Sequence, residues 1–158
     1  MNTSPLLRKL YSNNKMYVKY VHKYANSIYS LSYVMLEESV AAEEVTTCTF
    51  LELYEPFSQA DWNPRQFSLQ AYQFCIRQCS EGLTSDPLRS TEKEALNKRV
   101  LKFLWYGMKL PLADIQCILG QSVPILKAQL RKEREQANKK GHPSNHSHGL
   151  WNTPILKI

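Results

Sequence analysis

The chain has 158 residues, which admits one compact domain or two very small ones and argues against a large multidomain enzyme. Hydrophobic residues make up 43% and charged residues 22%, ordinary globular proportions that speak against wholesale disorder, collagen-like repeats and low-complexity architectures. Lys and Arg outnumber Asp and Glu by 20 to 14, for a formal net charge of +6, which suggests a polyanionic partner.

The sign of the charge changes along the chain. Residues 1–34 carry basic side chains and no acid, residues 35–62 carry acids and no base, and residues 121–140 are again predominantly basic. No run approaches the 18 or so apolar residues of a membrane span, and the N-terminus lacks the charged-then-apolar pattern of a secretory signal. The expectation is therefore a cytoplasmic protein without membrane insertion. Cys48, Cys75, Cys79 and Cys117 form no Cys-x-x-Cys pair and stand at positions that read as apolar helix faces, so they are expected to be reduced thiols.

Only five glycines occur, helical spacing dominates and no stretch alternates apolar and polar residues long enough for a strand, so the fold class is all-α. The first helix is expected from Asn14 to Met35, with Tyr17, Tyr20, Val21, Tyr24, Ile28, Leu31 and Met35 on one face. Tyrosines at this period read as helix-packing residues in preference to a base-stacking surface. A second helix is expected to start at Ser39 as cap and to end at Pro56, with Val45, Cys48 and Phe50 to Tyr54 as apolar material and Glu43, Glu44, Glu52 and Glu55 as an acidic exposed surface.

PFSQADWNPRQ reads as a loop by its Pro, Asp and Asn content, and a third helix is expected from Gln66 to Cys79. SEGLTSDPLRS has the composition of a connector. The chain therefore divides into a helical domain over 1–80, a linker over 81–90, a second helical domain over 91–138 and a flexible tail over 139–158. In the second domain, Thr91 and Glu94 match capping-box spacing at the start of a helix through Leu96, Val100, Leu101 and Leu104. A short helix follows over Pro111–Leu119, then a turn at Gly120, then a helix capped by Ser122 with Pro124 in its first turn.

That last arrangement, LADIQCILGQSVPILKAQLRKERE, has the pattern of a helix-turn-helix, in which the second helix enters the DNA major groove. Ile115, Ile118, Leu119, Val123, Leu126 and Leu130 supply its apolar set. Lys127, Gln129, Arg131, Lys132 and Arg134 are left to face phosphates or base edges. A helical hairpin with a merely solvated basic face is the simpler alternative.

The block MKLPLADIQCILGQSVPILKAQLRKERE resembles the C-terminal promoter-recognition domain of small bacterial sigma factors of the extracytoplasmic-function type. Leu110, Asp114, Ile115, Ile118, Leu119, Gly120, Ser122, Lys127 and Leu130 fall in register with the pattern of that family. AAEEVTTCTFLELYE is similar to the core-binding helix of the same family through Ala42, Glu43, Glu44, Val45, Phe50, Leu51 and Tyr54. The resemblance covers about residues 15 to 137 and implies a two-domain transcription initiation factor whose partners are core RNA polymerase and promoter DNA, with an anti-sigma factor as a further candidate partner.

In that reading Glu43, Glu44, Phe50, Glu52 and Glu55 bind polymerase, and Asp61, Trp62, Arg65 and Arg77 engage the minus-ten element, Trp62 by stacking. Ser122, Lys127, Gln129, Arg131, Lys132 and Arg134 read the minus-thirty-five element. Thr47 and Cys48 stand where the family usually has Gln-Glu, and AYQFCIRQ keeps Arg77 of the usual third-helix pattern. Ile125 replaces the usual threonine and Gln129 the usual arginine, which implies a different base preference, since Gln pairs with adenine where Arg pairs with guanine. Two rival readings keep the helices and change the role. One is a sigma-like regulatory protein that binds an anti-sigma factor or another transcription protein without initiating transcription, and the other is a helix-turn-helix regulator that binds duplex DNA without polymerase.

Catalysis finds little support, since the chain lacks a phosphate-binding glycine loop, a His-Glu-x-x-His motif and a Gly-x-Ser-x-Gly elbow. No cofactor and no metal are expected. His142, His146 and His148 stand in a tail rich in Gly, Pro, Ser and Asn, which fixes no ligand geometry and reads as a flexible polar segment. Cys75 and Cys79, four apart on one helix face, are expected to pack and not to sense redox state.

Overall fold

A computed structural model describes residues 5–83 and 90–140, with side chains at 14–82 and 92–140. Among these residues every regular element is helical: α1 (Pro5–Leu36), α2 (Ser39–Gln59), α3 (Pro64–Leu83), α4 (Ser90–Lys102), a π-helical segment Phe103–Gly107, α5 (Leu112–Leu119) and α6 (Val123–Lys139). The expected linker falls largely outside the described residues, as do His142, His146 and His148. No described helix is long and apolar enough to cross a membrane.

The tyrosine periodicity of α1 is core periodicity. Tyr17, Tyr20, Ala25, Ile28, Leu31 and Met35 are buried, and the helix begins at Pro5, well before Asn14, because proline suits a first helical position and Leu6, Leu7 and Leu10 favour helix. It stops at Glu37, whose backbone is left-handed (φ 56°) and whose N–H donates to the Tyr33 carbonyl at 2.8 Å, a C-terminal closure usually made by glycine.

The start of α2 differs from expectation. Glu38, not Ser39, is the cap, its two carboxylate oxygens accepting from the N–H groups of Val40 at 2.9 Å and Ala41 at 2.6 Å. Those bonds hold the Glu38 carboxyl below its ordinary pKa. Nor does Pro56 end the helix, which continues to Gln59. Proline costs one intrahelical bond, and Phe57, 5% exposed, anchors the final turn by edge contacts with Tyr20, Phe67 and Trp62.

The buried face of α2 is partly polar. Thr46 and Thr49 are buried, and their hydroxyls donate to the carbonyls of Ala42 (2.6 Å) and Val45 (2.7 Å) one turn back, which removes the penalty of an unpaired buried group. With Ala42, Phe50 and Leu53 filling the rest of that face, helical period sends Cys48 and Leu51 outward. Both were expected to pack, yet Cys48 is exposed and Leu51 is 72% exposed.

Four residues separate α2 from α3, so the loop is much shorter than expected. Asn63 and Gln66 exchange bonds, Asn63 N–H to Gln66 Oε1 at 3.0 Å and Gln66 N–H to Asn63 Oδ1 at 2.8 Å, which is a reciprocal cap placed directly around Pro64. Phe67, fully buried, sits within 5.1–6.3 Å, ring centre to ring centre, of Tyr17, Tyr20, Tyr24, Phe50 and Phe57. Burial pushes the Tyr17 phenol up to about 12, with Tyr54 adding to the shift, and its hydroxyl donates to the Phe50 carbonyl.

Cys75 and Cys79 are buried as free thiols. The Cys75 thiol lies 3.1 Å from the Ser32 hydroxyl, and its hydrogen bond with Cys79 together with burial pushes it well above the ordinary thiol range. Cys117, like Cys48, is exposed.

Buried residues of all six helices belong to one cluster that runs from Tyr17 through Phe67 and Leu104 to Leu130. Helix α3 packs on α5, and α1 on α4. Because Phe67 has ring contacts on both α1 and α2, Phe67→Ala is expected to cost about 3–5 kcal/mol, read as a lowered urea midpoint with unchanged slope.

Candidate nucleic-acid interface

The segment leading into α5 is set by an unusual helix end. The Met108 N–H donates to the Phe103 carbonyl at 2.8 Å and the Leu110 N–H to that of Leu104 at 3.0 Å, with Lys109 left-handed at φ 54°. Pro111 then caps α5 through its carbonyl, which accepts from Asp114 (3.0 Å) and Ile115 (3.1 Å). The reverse of direction falls on Gly120, left-handed at φ 66°, whose N–H donates to the Gln116 carbonyl at 2.8 Å. A side chain there would meet no neighbour, so only the backbone conformation calls for glycine.

Helix α6 begins after Ser122, in the expected cap position. The hydroxyl of Ser122 makes no capping bond; its carbonyl does the structural work by accepting from the Leu126 N–H at 3.0 Å. Pro124 occupies the first turn. Ile115 and Ile118 of α5 and Leu126 and Leu130 of α6 are buried together in the common cluster, while Leu119 and Val123 are half-buried.

Charge fixes the rotation of α6 as well. Glu133, half-buried, accepts from Lys102 Nζ at 2.7 Å and lies 3.7 Å from Lys98 Nζ. The Lys102 ammonium, more than that of Lys98, holds the Glu133 carboxyl below its ordinary range. With Leu126, Leu130 and Glu133 turned toward the body of the protein, Lys127, Gln129, Arg131, Lys132 and Arg134 are all exposed. Lys127, Arg131 and Arg134 recur at four and three residues, a single stripe. Among the described residues, none of these four cations enters an ion pair. Ile125 adds an exposed apolar side chain near the start of the helix.

The residues assigned to the minus-ten element lie elsewhere and do not form one group. Asp61 is exposed, and Trp62 is half-buried with its ring 6.1 Å from that of Phe57. Arg65 donates to Asp114 Oδ1 from Nε at 3.0 Å and from a terminal nitrogen at 2.5 Å, tying the start of α3 to the first turn of α5. Gln73 Nε2 reinforces that junction with a 2.6 Å bond to the Cys117 carbonyl. Arg77 lies over the Phe74 ring at 4.3 Å and 3.7 Å from Glu52.

Of the residues assigned to polymerase binding, Glu43, Glu44, Glu52 and Glu55 are exposed, and Phe50 is buried at 8% exposure. Phe50 therefore faces the core, near-parallel to Phe67 (11° between rings), and offers its carboxyl-side neighbour Leu51 to solvent. Sequence reasoning missed the Glu133 contact with Lys98 and Lys102 and the Arg65–Asp114 pair. The former carried a usable signal, a lone acid on the apolar side of a basic helix; the latter joins residues 49 apart and left none.

No group of three or more metal-ligating side chains is found among the described residues. No protein-family model matches the chain, and no curated protein matches it.

The lowered Glu133 pKa has a determinate sign. Its contribution to stability is complete above about pH 4.5, the ordinary value, and is lost as pH falls through the depressed folded value. Glu133→Gln is accordingly expected to destabilise at pH 7 and to differ progressively less from wild type as pH drops below 4.5, as followed by urea unfolding at each pH.

Proposed function

We propose that the protein is a DNA-binding transcription initiation factor of the small sigma type, docking α6 in the major groove of promoter DNA and presenting the acidic face of α2 to core RNA polymerase. The observation that carries this reading is the division of α6 into a face locked inward by Leu126, Leu130 and Glu133 and a face of exposed cations that form no ion pair among the described residues. A left-handed turn at Gly120 joins a short helix to a longer basic one, the element order of a helix-turn-helix, and so supports that reading. Exposed Glu43, Glu44 and Glu55 on α2 support docking on a basic partner surface.

Phosphate contacts would come from Lys127, Arg131 and Arg134, and base contacts from Ile125, which suits a thymine methyl, and Gln129, which suits an adenine edge. Lys127→Ala and Arg131→Ala are each expected to weaken duplex binding for all sequences and to reduce the slope of log K against log salt by about 1. Slopes unchanged in both variants would remove α6 from the interface.

The polymerase arm is tested by binding of the full chain to bacterial core RNA polymerase with a housekeeping sigma factor as competitor. Competitive binding that weakens on Glu43→Lys with Glu44→Lys, while duplex affinity is retained, is the expected result. Absence of binding at micromolar concentration would overturn the initiation role. The surviving reading would then be a polymerase-independent DNA-binding regulator, which the engagement of Arg65 by Asp114 favours because that pair occupies a cation otherwise assigned to the minus-ten strand.

A further inference from the structure

We propose that the outer face of α1 and α2 is a self-association surface on which a second copy of this chain docks about a two-fold axis. Of the large apolar side chains that remain exposed among the described residues, Met16, Val18, Val40, Leu51 and Tyr54 all lie on these two helices, and only Tyr106 and Ile125 lie elsewhere. Met16 and Val18, two residues apart, point to different sides of α1, so the patch is made by Val18 with Val40, Leu51 and Tyr54 of α2; isolated exposed apolar residues need no explanation, but a group gathered on one helix pair marks an interaction site.

The charges on that pair identify the occupant. Helix α1 exposes Lys15, Lys19 and His22, and among its residues with described side chains it has no acid; α2 exposes Glu44 and Glu55 and has no base. One face thus carries a cationic edge and an anionic edge with Val18 and Leu51 between them. An isologous interface pairs each patch with the symmetry-related one. An axis running between α1 and α2, parallel to both, sets α1 of each copy over α2 of the other and matches lysine against glutamate twice.

The register supports this. The Tyr54 hydroxyl donates to Asn14 Oδ1, which places Asn14, in the first half of α1, level with Tyr54 in the second half of α2. With antiparallel helices of equal rise, Lys15 and Lys19 stand level with roughly Leu53 and Thr49, and His22 with roughly Thr46. Glu55 of the other copy then lies within about a turn of Lys15, and Glu44 within about one and a half turns of Lys19, inside the combined reach of a lysine and a glutamate side chain. Leu51, 72% exposed, gains a partner that the monomer does not give it.

This association does not rest on the DNA-binding reading, since α6 takes no part in it. It does cover Glu44 and Glu55, two of the acids assigned to polymerase, so the two contacts exclude one another.

Sedimentation of the full chain over a range of concentrations tests the proposal. Wild type is expected to show a monomer–dimer equilibrium that weakens with salt. Two double variants, Lys15→Glu with Lys19→Glu and Glu44→Lys with Glu55→Lys, are each expected to lose homodimer affinity by more than about tenfold, since like charges then face one another. Mixed together, the two variants are expected to form a heterodimer, because each α1 again meets an α2 of opposite sign. Leu51→Asp, at a side chain that the monomer leaves in solvent, is expected to abolish the dimer and to unfold at the midpoint that the wild type shows when diluted to monomer.

A wild-type chain that stays monomeric at all concentrations overturns the proposal, as does a dimer indifferent to these variants or a mixture that fails to pair. If the chain is monomeric and the acidic variants nonetheless lose polymerase, the face belongs to polymerase alone. The salt slope of duplex binding remains a separate measure of α6 in every case.

Discussion

Burial of the Phe67 ring is the contact on which the other helices depend. Its neighbours are drawn from the middle of α1 and the second half of α2, so a single side chain fixes where three helices cross. Edge-to-face and stacked geometries add directional preference to the area buried. Tyr17 shows how tightly the site is closed, because its phenol touches three rings and still finds an acceptor in the Phe50 carbonyl. The continuation of α2 past Pro56 follows from the same cluster, which holds Phe57 firmly enough to offset the missing backbone bond.

The position of α6 depends on that cluster only indirectly, through α5. Helix α3 carries Arg65 and Gln73, which grip the first turn and the end of α5 by a carboxylate and a carbonyl. Gly120 then sets the direction of α6, and Glu133 sets its rotation against α4. A buried or half-buried carboxylate between two lysines is costly to form and more costly to leave with one partner missing, so the pair acts more on orientation than on net stability. The cationic stripe of α6 faces outward because its one inward acid is anchored.

Much of the fold was legible in the sequence, and for definable reasons. The all-helical class, the core role of Tyr17, Tyr20, Ile28 and Leu31, the turn at Gly120 and the outward basic face of α6 all follow from a 3.6-residue period that the packing obeys. The misreadings lie where local chemistry has several solutions. Ser39 and Glu38 are both competent to cap α2, and the longer side chain reached two N–H groups. Asn63-Pro64 reads equally well as loop or as helix start, and only the reciprocal bond with Gln66 decides. In α2, apolar character pointed inward at Leu51 and Cys48, whereas threonines filled the core after satisfying themselves on the preceding turn.

Leu51 and Thr49 together carry a broader consequence. A helix that buries threonine and exposes leucine is not optimised for an isolated monomer in water, since exchanging the two would place more apolar area in the core. Exposed Val18 on the adjoining helix and charges of opposite sign on either side extend the same asymmetry over both helices. Such a distribution costs solubility unless the face is covered for part of the protein's lifetime. The α1/α2 face and the α6 face thus differ in kind: a face dominated by cations, with Ile125 as its one large exposed apolar side chain among the described residues, suits a solvated, salt-sensitive contact with phosphates, whereas apolar residues rimmed by both signs of charge suit a dry contact with protein. Two chemically distinct surfaces on one continuous core mean that occupancy of one leaves the other accessible, provided the helices between them stay packed around Phe67.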